Sequence, residues 1–369
     1  MASVEKLAVG WTESRLLPDP IIRAGIRRLN RQRLAGIHAE DMAGVADRME
    51  AFVARMQVAE VAPLPHRANE QHYELPAEFF ARVLGKHGKY SCCYWDGATL
   101  NLDQAETTAL SICCQRAAIE QGMTVLDLGC GWGSLSLWIA SKYPGVKVVA
   151  VSNSNAQRQW IEAVANERGL NNIRIITADM NDFANDENAD QSFNQTFDRI
   201  VSVEMFEHMR NYPELFRRIA GWLKPQGQFF MHIFCHRNSA YEFVDQGPSD
   251  WMSRHFFAGG IMPSFDLPLR FQQHLALQHR AAWGGEHYAR TANAWLQNMD
   301  RQRAEIRPLF EKCYGAESAD LWFQRWRIFF MACAELFGQN NGQEWFVGHY
   351  LFARQEDSGS QPAAQALQP

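Results

Sequence analysis

At 369 residues the chain exceeds one typical domain, and 47% hydrophobic residues supply a large core and exclude a globally disordered chain. A formal charge of −5, from 36 basic and 41 acidic residues without a dense Lys/Arg block, gives no basis for nucleic acid or anionic lipid as partner. No apolar run approaches the roughly 18 residues of a spanning helix, and the opening "MASVEKLAVGWTESRLLPDP" reads as neither signal peptide nor anchor, so no integral membrane association is expected.

Residues 1–76 read as a helical cap and connector. Ile21, Ile22, Ile26, Leu29, Leu34 and Ile37 recur at helical spacing, as do Val45, Met49, Phe52, Val53 and Met56. The three prolines of "VAPLPHRANEQHYELP" (61–76) end that pattern. From about 105 to 235 helical and strand patterns alternate, which predicts an α/β fold with a parallel sheet and helices on its faces. Insertions rich in Trp, Phe, His and Gly follow over about 240–330, with a helical close at 316–338. The tail 355–369 has few large apolar groups and is expected to be disordered. The eight cysteines form neither a disulfide framework nor a zinc-type spacing, so reduced thiols, a cytoplasmic location and no metal are expected.

The strongest chemical signal is "GMTVLDLGCGWGSLSLWIA" (122–140). A short buried strand carries Asp127 and runs through Gly129, Gly131 and Gly133 into a helix. Glycines there permit a tight turn and a close approach of backbone N–H groups to a ligand. The spacing is G-x-G-x-G, not G-x-G-x-x-G, and the acid precedes the first glycine by two residues. This arrangement resembles the S-adenosylmethionine loop of class I methyltransferases. Asn153 and Gln157, at the end of the next strand, supply polar groups for a ribose. Asp179 and Met180 end a third strand and suit an adenine amino group and an adenine face. Tyr90 and Ser91 are placed to close over the cofactor.

"KYSCCYW", "GCGWG", "VSNSNAQ", "FDRIVSVEMFEHM", "FAGGIMPS" and "HYARTANAW" occur in this order. Together they resemble the cyclopropane fatty acid synthase superfamily, and "VEMFEHM", "FCHRNSAYEF" and "CAELFGQNNGQEWFVGHYLF" are closer to its coclaurine-type N-methyltransferases. The resemblance implies a Rossmann-like, mixed seven-stranded sheet and a methyltransferase domain over 77–354. The synthases hold a bicarbonate base on a Cys, a Glu, a His and a Tyr. Cys92, Glu207 and His232 match the first three, whereas Phe329 stands at the Tyr position. Phe234 replaces an apolar residue, usually Ile, and Glu204 stands where the synthases usually have Gly. These departures lean toward the amine branch.

In that branch the residues matching Glu204, Glu207 and His208 line the amine site. On a helical turn Glu204 would neighbour both Glu207 and His208. A carboxylate can bind an ammonium, and a histidine with a pKa near neutrality can take a proton. Cys92, His232, Phe234, Phe257, Trp326, Phe329 and Phe330 are the expected substrate contacts, with aromatic faces for a flat amine. His232 and His236 also read as satisfied core histidines, His232 being the better candidate for the site. The expected activity is S-adenosylmethionine-dependent N-methylation of an aromatic alkylamine or benzylisoquinoline-type alkaloid. S-adenosylhomocysteine would be the product. The alternative is methyl transfer to unsaturated acyl chains. The cap helices are readable as a substrate lid or a homodimer surface.

Overall fold

The computed structural model describes residues 2–37, 41–63, 75–183, 193–245, 247 and 250–355. Most of the 61–76 connector and all but the first residue of the 355–369 tail lie outside them.

Three helices open the chain: α1 (Ala2–Glu13), α2 (Asp19–Gly36) and α3 (Met42–Gln57). Of the periodic residues in α2, Ile22 is buried while Ile21 and Leu29 are exposed. In α3, Val45, Met49, Phe52 and Met56 all turn inward. Next come α4 (Ala77–Val83), α5 (Leu102–Arg116), β1 (Thr124–Leu128), α6 (Ser134–Lys142), β2 (Lys147–Ser152), α7 (Asn155–Glu167) and β3 (Ile173–Thr177). β4 (Phe197–Val203), α8 (Tyr212–Trp222) and β5 (Leu223–His236) complete the alternating part. The insertion carries the short strands β6 (Tyr241–Glu242) and β7 (Ile261–Met262), with α9 (Trp251–His255) between them. The chain closes with β8 (Leu275–Trp283), α10 (Gly285–Arg301), α11 (Arg303–Tyr314), α12 (Ala319–Phe337) and β9 (Trp345–Arg354).

The main sheet is seven-stranded and mixed, in the order β3-β2-β1-β4-β5-β9-β8. Its first five strands are parallel, whereas β9 runs antiparallel to both β5 and β8. Alternation along the central strands sends side chains into different cores on the two faces. Val125, Val201 and Phe230 join a cluster with Leu110 and Cys113 of α5. Leu126, Ile200, Phe229 and Met231 join another with Leu215 and Phe216 of α8. Helices therefore cover both faces, as the near-continuous apolar strands require. The strand order reverses at β1, which opens a crevice at the carboxyl ends of the neighbouring strands.

Candidate functional site

The crevice is shaped by the glycine turn. Gly129 and Gly131 take φ of +74° and +54°, a region that disfavours residues with a Cβ. A Cβ on Gly129 would meet the Met205 side chain at 2.7 Å, whereas one on Gly131 would meet nothing within 4 Å. Gly129 thus permits close packing, and Gly131 borders open space. The N–H groups of Gly129 and Cys130 both donate to the carbonyl of Val151, which fastens the turn to β2.

A cleft of about 770 Å³ follows, lined by Gly129, Gly131, Asn153, Gln157, Asp179 and Met180, and at its far end by Glu204 and His208. The Ser152 hydroxyl donates to Gln157 Oε1 at 2.6 Å, and the buried Nε2 of Gln157 finds no partner among the described residues. Ala62 lines the rim, pinned by paired backbone bonds of 2.9 Å to the Asn181 amide. Asp127 does not reach the cleft. It lies beneath the turn, accepts the Ser136 hydroxyl at 2.5 Å, and is raised by burial to about 6.

The turn after β4 departs from the expected helical spacing. Glu204 sits at φ +51°, in the left-handed region, and a single 3₁₀ turn spans Phe206–His208. The i+3 and i+4 relations presuppose a helix, which the reversal at Glu204 breaks before it starts. The turn instead splits the three polar groups. Glu204 accepts the Cys92 N–H at 3.0 Å and the Tyr288 hydroxyl at 2.7 Å, with His232 Nε2 3.2 Å away. Glu207 is fully buried, lines neither cavity, and accepts the Phe234 N–H at 2.7 Å. Burial raises both carboxyls, and Glu204 raises Glu207 further. The negative charge therefore falls to Glu204, which has Lys89 and two hydrogen-bond donors in its favour, and the proton to Glu207. Burial and Arg210 lower His208 to about 4, so its imidazole is neutral rather than poised near neutrality.

A second cavity, of about 760 Å³, shares Glu204 and His208 with the first. Its wall is aromatic: Tyr90, Phe234, Phe257, Trp295 and Phe329 line it, together with Phe243, Tyr288 and Phe337. Tyr90 thus faces this cavity and not the glycine cleft. Ser91 faces neither, since its hydroxyl accepts the buried Lys89 ammonium at 2.5 Å. Cys92 and His232 also lie behind the wall, the first reaching Glu204 through its backbone N–H and the second through its ring. Trp326 and Phe330 are fully buried and support the lining from below, where Trp326 packs edge-on against Phe329 at 5.5 Å. Phe329 itself stacks on Phe256 at 4.6 Å.

Sequence reasoning missed Tyr288 and Lys89. Tyr288 shares one face of α10 with Thr291, Ala292 and Trp295, a 3.6-residue pattern inside the "HYARTANAW" motif. Lys89 is 1% exposed, which its charge alone would not suggest.

The family profile described as Mycolic acid cyclopropane synthetase matches residues 64–346. An (S)-coclaurine N-methyltransferase from Thalictrum flavum subsp. glaucum is 34% identical over 356 residues, covering 95% of each chain. A cyclopropane-fatty-acyl-phospholipid synthase from Escherichia coli (strain K12) is 31% identical over 296 residues, covering 79% of this chain and 68% of the synthase. The crystal structure of a coclaurine N-methyltransferase bound to N-methylheliamine and SAH superposes with a TM-score of 0.89 at 33% identity, over 95% of this chain and 99% of that one. The chain therefore belongs to the mycolic acid cyclopropane synthetase family, as a coclaurine N-methyltransferase-like member.

Proposed function

We propose that the protein methylates the nitrogen of an aromatic alkylamine or benzylisoquinoline-type alkaloid, using S-adenosylmethionine and releasing S-adenosylhomocysteine. One observation carries this reading: Glu204 and His208 stand where the glycine cleft meets the aromatic cavity.

The cleft fits the methyl donor. Gly131 leaves the space a side chain would fill, Gln157 Nε2 is an unpartnered buried donor, and Asp179 offers a carboxylate at the third strand's end. When bound, the cofactor supplies an electrophilic sulfonium methyl. The residues of this chain prepare the nucleophile. An alkyl amine with a pKa of roughly 10 is mostly protonated at pH 7, and freeing it costs about 4 kcal/mol. Glu204 attracts the ammonium and, with its pKa raised by burial, is a better proton acceptor than an ordinary carboxylate. His208 is too weak a base to store that proton, but its neutral ring can accept an N–H and so orient the lone pair. The aromatic wall excludes water and favours a flat, transiently cationic guest.

The acyl-chain alternative has relatives of comparable identity, so identity does not separate the two. The cavity favours the amine. An external anionic base would find the Cys92 N–H and His232 already engaged by the Glu204 carboxylate, and Phe329 brings a stacked ring rather than a hydroxyl. The eight unbridged cysteines support a cytoplasmic setting. Among the described residues no helix is long and apolar enough to cross a membrane. Trp11, Leu16 and Ile21, exposed on the cap, support a homodimer surface.

The test supplies methyl-labelled S-adenosylmethionine with a panel of aromatic amines and, separately, vesicles of unsaturated phospholipid. Labelled amine is expected, at a rate that rises with pH as free base forms and without dependence on bicarbonate. Label confined to lipid and stimulated by bicarbonate would replace this reading with the acyl-chain one.

A further inference from the structure

Behind Glu204 runs a buried chain of hydrogen bonds. Arg116, the last residue of α5, donates from Nη1 to His349 Nδ1 at 2.5 Å. A guanidinium has only donors, so His349 must present a lone pair at Nδ1 and carry its proton on Nε2. That Nε2–H points at His232 Nδ1, 2.9 Å away. His232 is thereby left with its own proton on Nε2, 3.2 Å from Glu204 Oε1. Each proton position follows from the one before it, starting at the arginine. Trp283 seals the chain, with its ring 4.3 Å from that of His349 and beneath the Arg116 guanidinium at 5.7 Å.

We infer that Arg116 and His349 are positioning residues that lock His232 as a hydrogen-bond donor to Glu204, keeping that carboxylate ionised and aimed at the junction of the two cavities. The inference rests on the reading of Glu204 as the amine-binding carboxylate. Ligand atoms of Cys113, His232 and His349 lie within 4.8 Å of one another, a spacing that also suits a metal ion. A metal would need the lone pair of His349 Nε2, the atom that Arg116 obliges to carry a proton. If the lock is removed, His232 is free to hold its proton on Nδ1, toward Cys113 Sγ at 4.0 Å. Its Nε2 lone pair would then face the carboxylate and repel the charge.

The acid side of the kcat/KM profile reads this directly. Besides His232, the titratable groups facing Glu204 are Lys89, Cys92 and Cys93 from the loop before α5, Glu207 and His208 from its own turn, Tyr288 from α10 and Cys333 from α12. Around the two imidazoles stand Cys113 and Arg116 of α5. Burial raises the thiols and the phenol and lowers His208 to about 4, and the amine titrates at about 10, so a break in slope between pH 5 and 8, superposed on the steady rise from amine deprotonation, reports a carboxyl.

Arg116→Met and His349→Leu are expected to move that break up by about one pH unit, the effect of losing a hydrogen bond to an ion, with the rate above the break largely kept. His349→Gln should restore the wild-type break, since its amide N–H replaces Nε2–H and its carbonyl accepts from Arg116. An unmoved break in Arg116→Met, or His349→Gln behaving like His349→Leu, overturns the inference. Should His349→Leu fail to fold, Arg116→Met and the ¹⁵N spectrum of the wild-type histidines decide: His232 must be the Nε2–H tautomer, and an Nδ1–H signature refutes the lock. A wild type that methylates no amine at any pH rejects the proposed function instead, and the tautomer measurement still judges the chain of bonds.

Discussion

Glu204 pays for its position with backbone strain. A non-glycine residue in the left-handed region costs roughly 1–2 kcal/mol, and three donors aimed at one carboxylate offset that cost. Glycine fits the same φ without strain. Glu204→Gly should therefore fold well, lose on the order of 100-fold or more in kcat/KM, and regain part of it with added formate or bicarbonate. The small anion would occupy the space vacated on the Cys92 N–H and His232. Steady-state kinetics with and without formate test this; wild-type kcat/KM in Glu204→Gly would remove the carboxylate from the chemistry. The chemical identity of this residue was legible in the sequence, but its geometry was not. Helical spacing joined Glu204 to Glu207, and one residue at positive φ parted them, leaving Glu207 protonated beneath Phe234. The glycines were legible because their conformational freedom is written in their identity. Arg116 and His349 were not, since they lie 233 residues apart and no local pattern joins them.

At the scale of elements, the alternating region gave its strands as short apolar runs and its helices through a 3.6 period, and a parallel sheet followed from their alternation, whereas the seven-stranded mixed sheet came from the family resemblance. The cap was harder to read. Its apolar residues fit a helix, yet Ile21 and Leu29 face out: α2 packs Ile22, Ile26 and Leu34 on the core and adds ion pairs to α12 such as Arg23 with Glu335 and Asp19 with Arg327. Glu13 of α1 makes the same kind of tie. It accepts Trp251 Nε1 and Arg325 Nε, each at 2.9 Å, and so joins α1, α9 and α12 at a half-buried site. Met252, next to Trp251, is part of the aromatic cavity wall. Glu13→Ala should then raise KM for the amine severalfold, lower stability by about 1–2 kcal/mol, and change S-adenosylmethionine affinity much less, because only Ala258 and Gly259 of the loop after α9 reach the glycine cleft. Calorimetry with the cofactor and kinetics with the amine separate the two. Weakened cofactor binding with an unchanged amine KM would show that the clamp serves the glycine cleft and not the aromatic cavity.

For the whole molecule, buried ionisable groups set opposing slopes of stability against pH. Burial raises Glu106 to about 7 and Asp127 to about 6, and raises Glu204 and Glu207 as well. These acids are protonated in the fold at pH values where the unfolded chain, with carboxyl pKa values near 4, has released the proton. Their contribution is full below about pH 4 and is lost as pH rises through the folded values. The histidines act in reverse. Burial lowers His87, His208, His236 and His255 to about 4, and puts His232 and His349 well below the ordinary imidazole value. Their contribution is full above about pH 6.5, where the unfolded imidazoles are neutral too, and is lost as pH falls toward 4. Glu214, held at about 2 by Arg217 and Arg218, adds to the loss in acid. Below pH 6 the histidines outnumber the raised acids, so stability climbs with pH; above 6.5 the raised carboxyls, joined toward pH 9 by the buried thiols that burial also raises, make it decline. The melting temperature of the ligand-free protein should peak near pH 6 to 6.5 and fall on both sides. Amine methylation needs free base and should keep rising beyond that peak, so the most active pH is not the most stable one. Thermal denaturation from pH 4.5 to 9 measures the first curve, and initial rates over the same range measure the second. A melting temperature that rises steadily to pH 9 would mean that the buried acids ionise without cost, and with it would go the division of charge between Glu204 and Glu207.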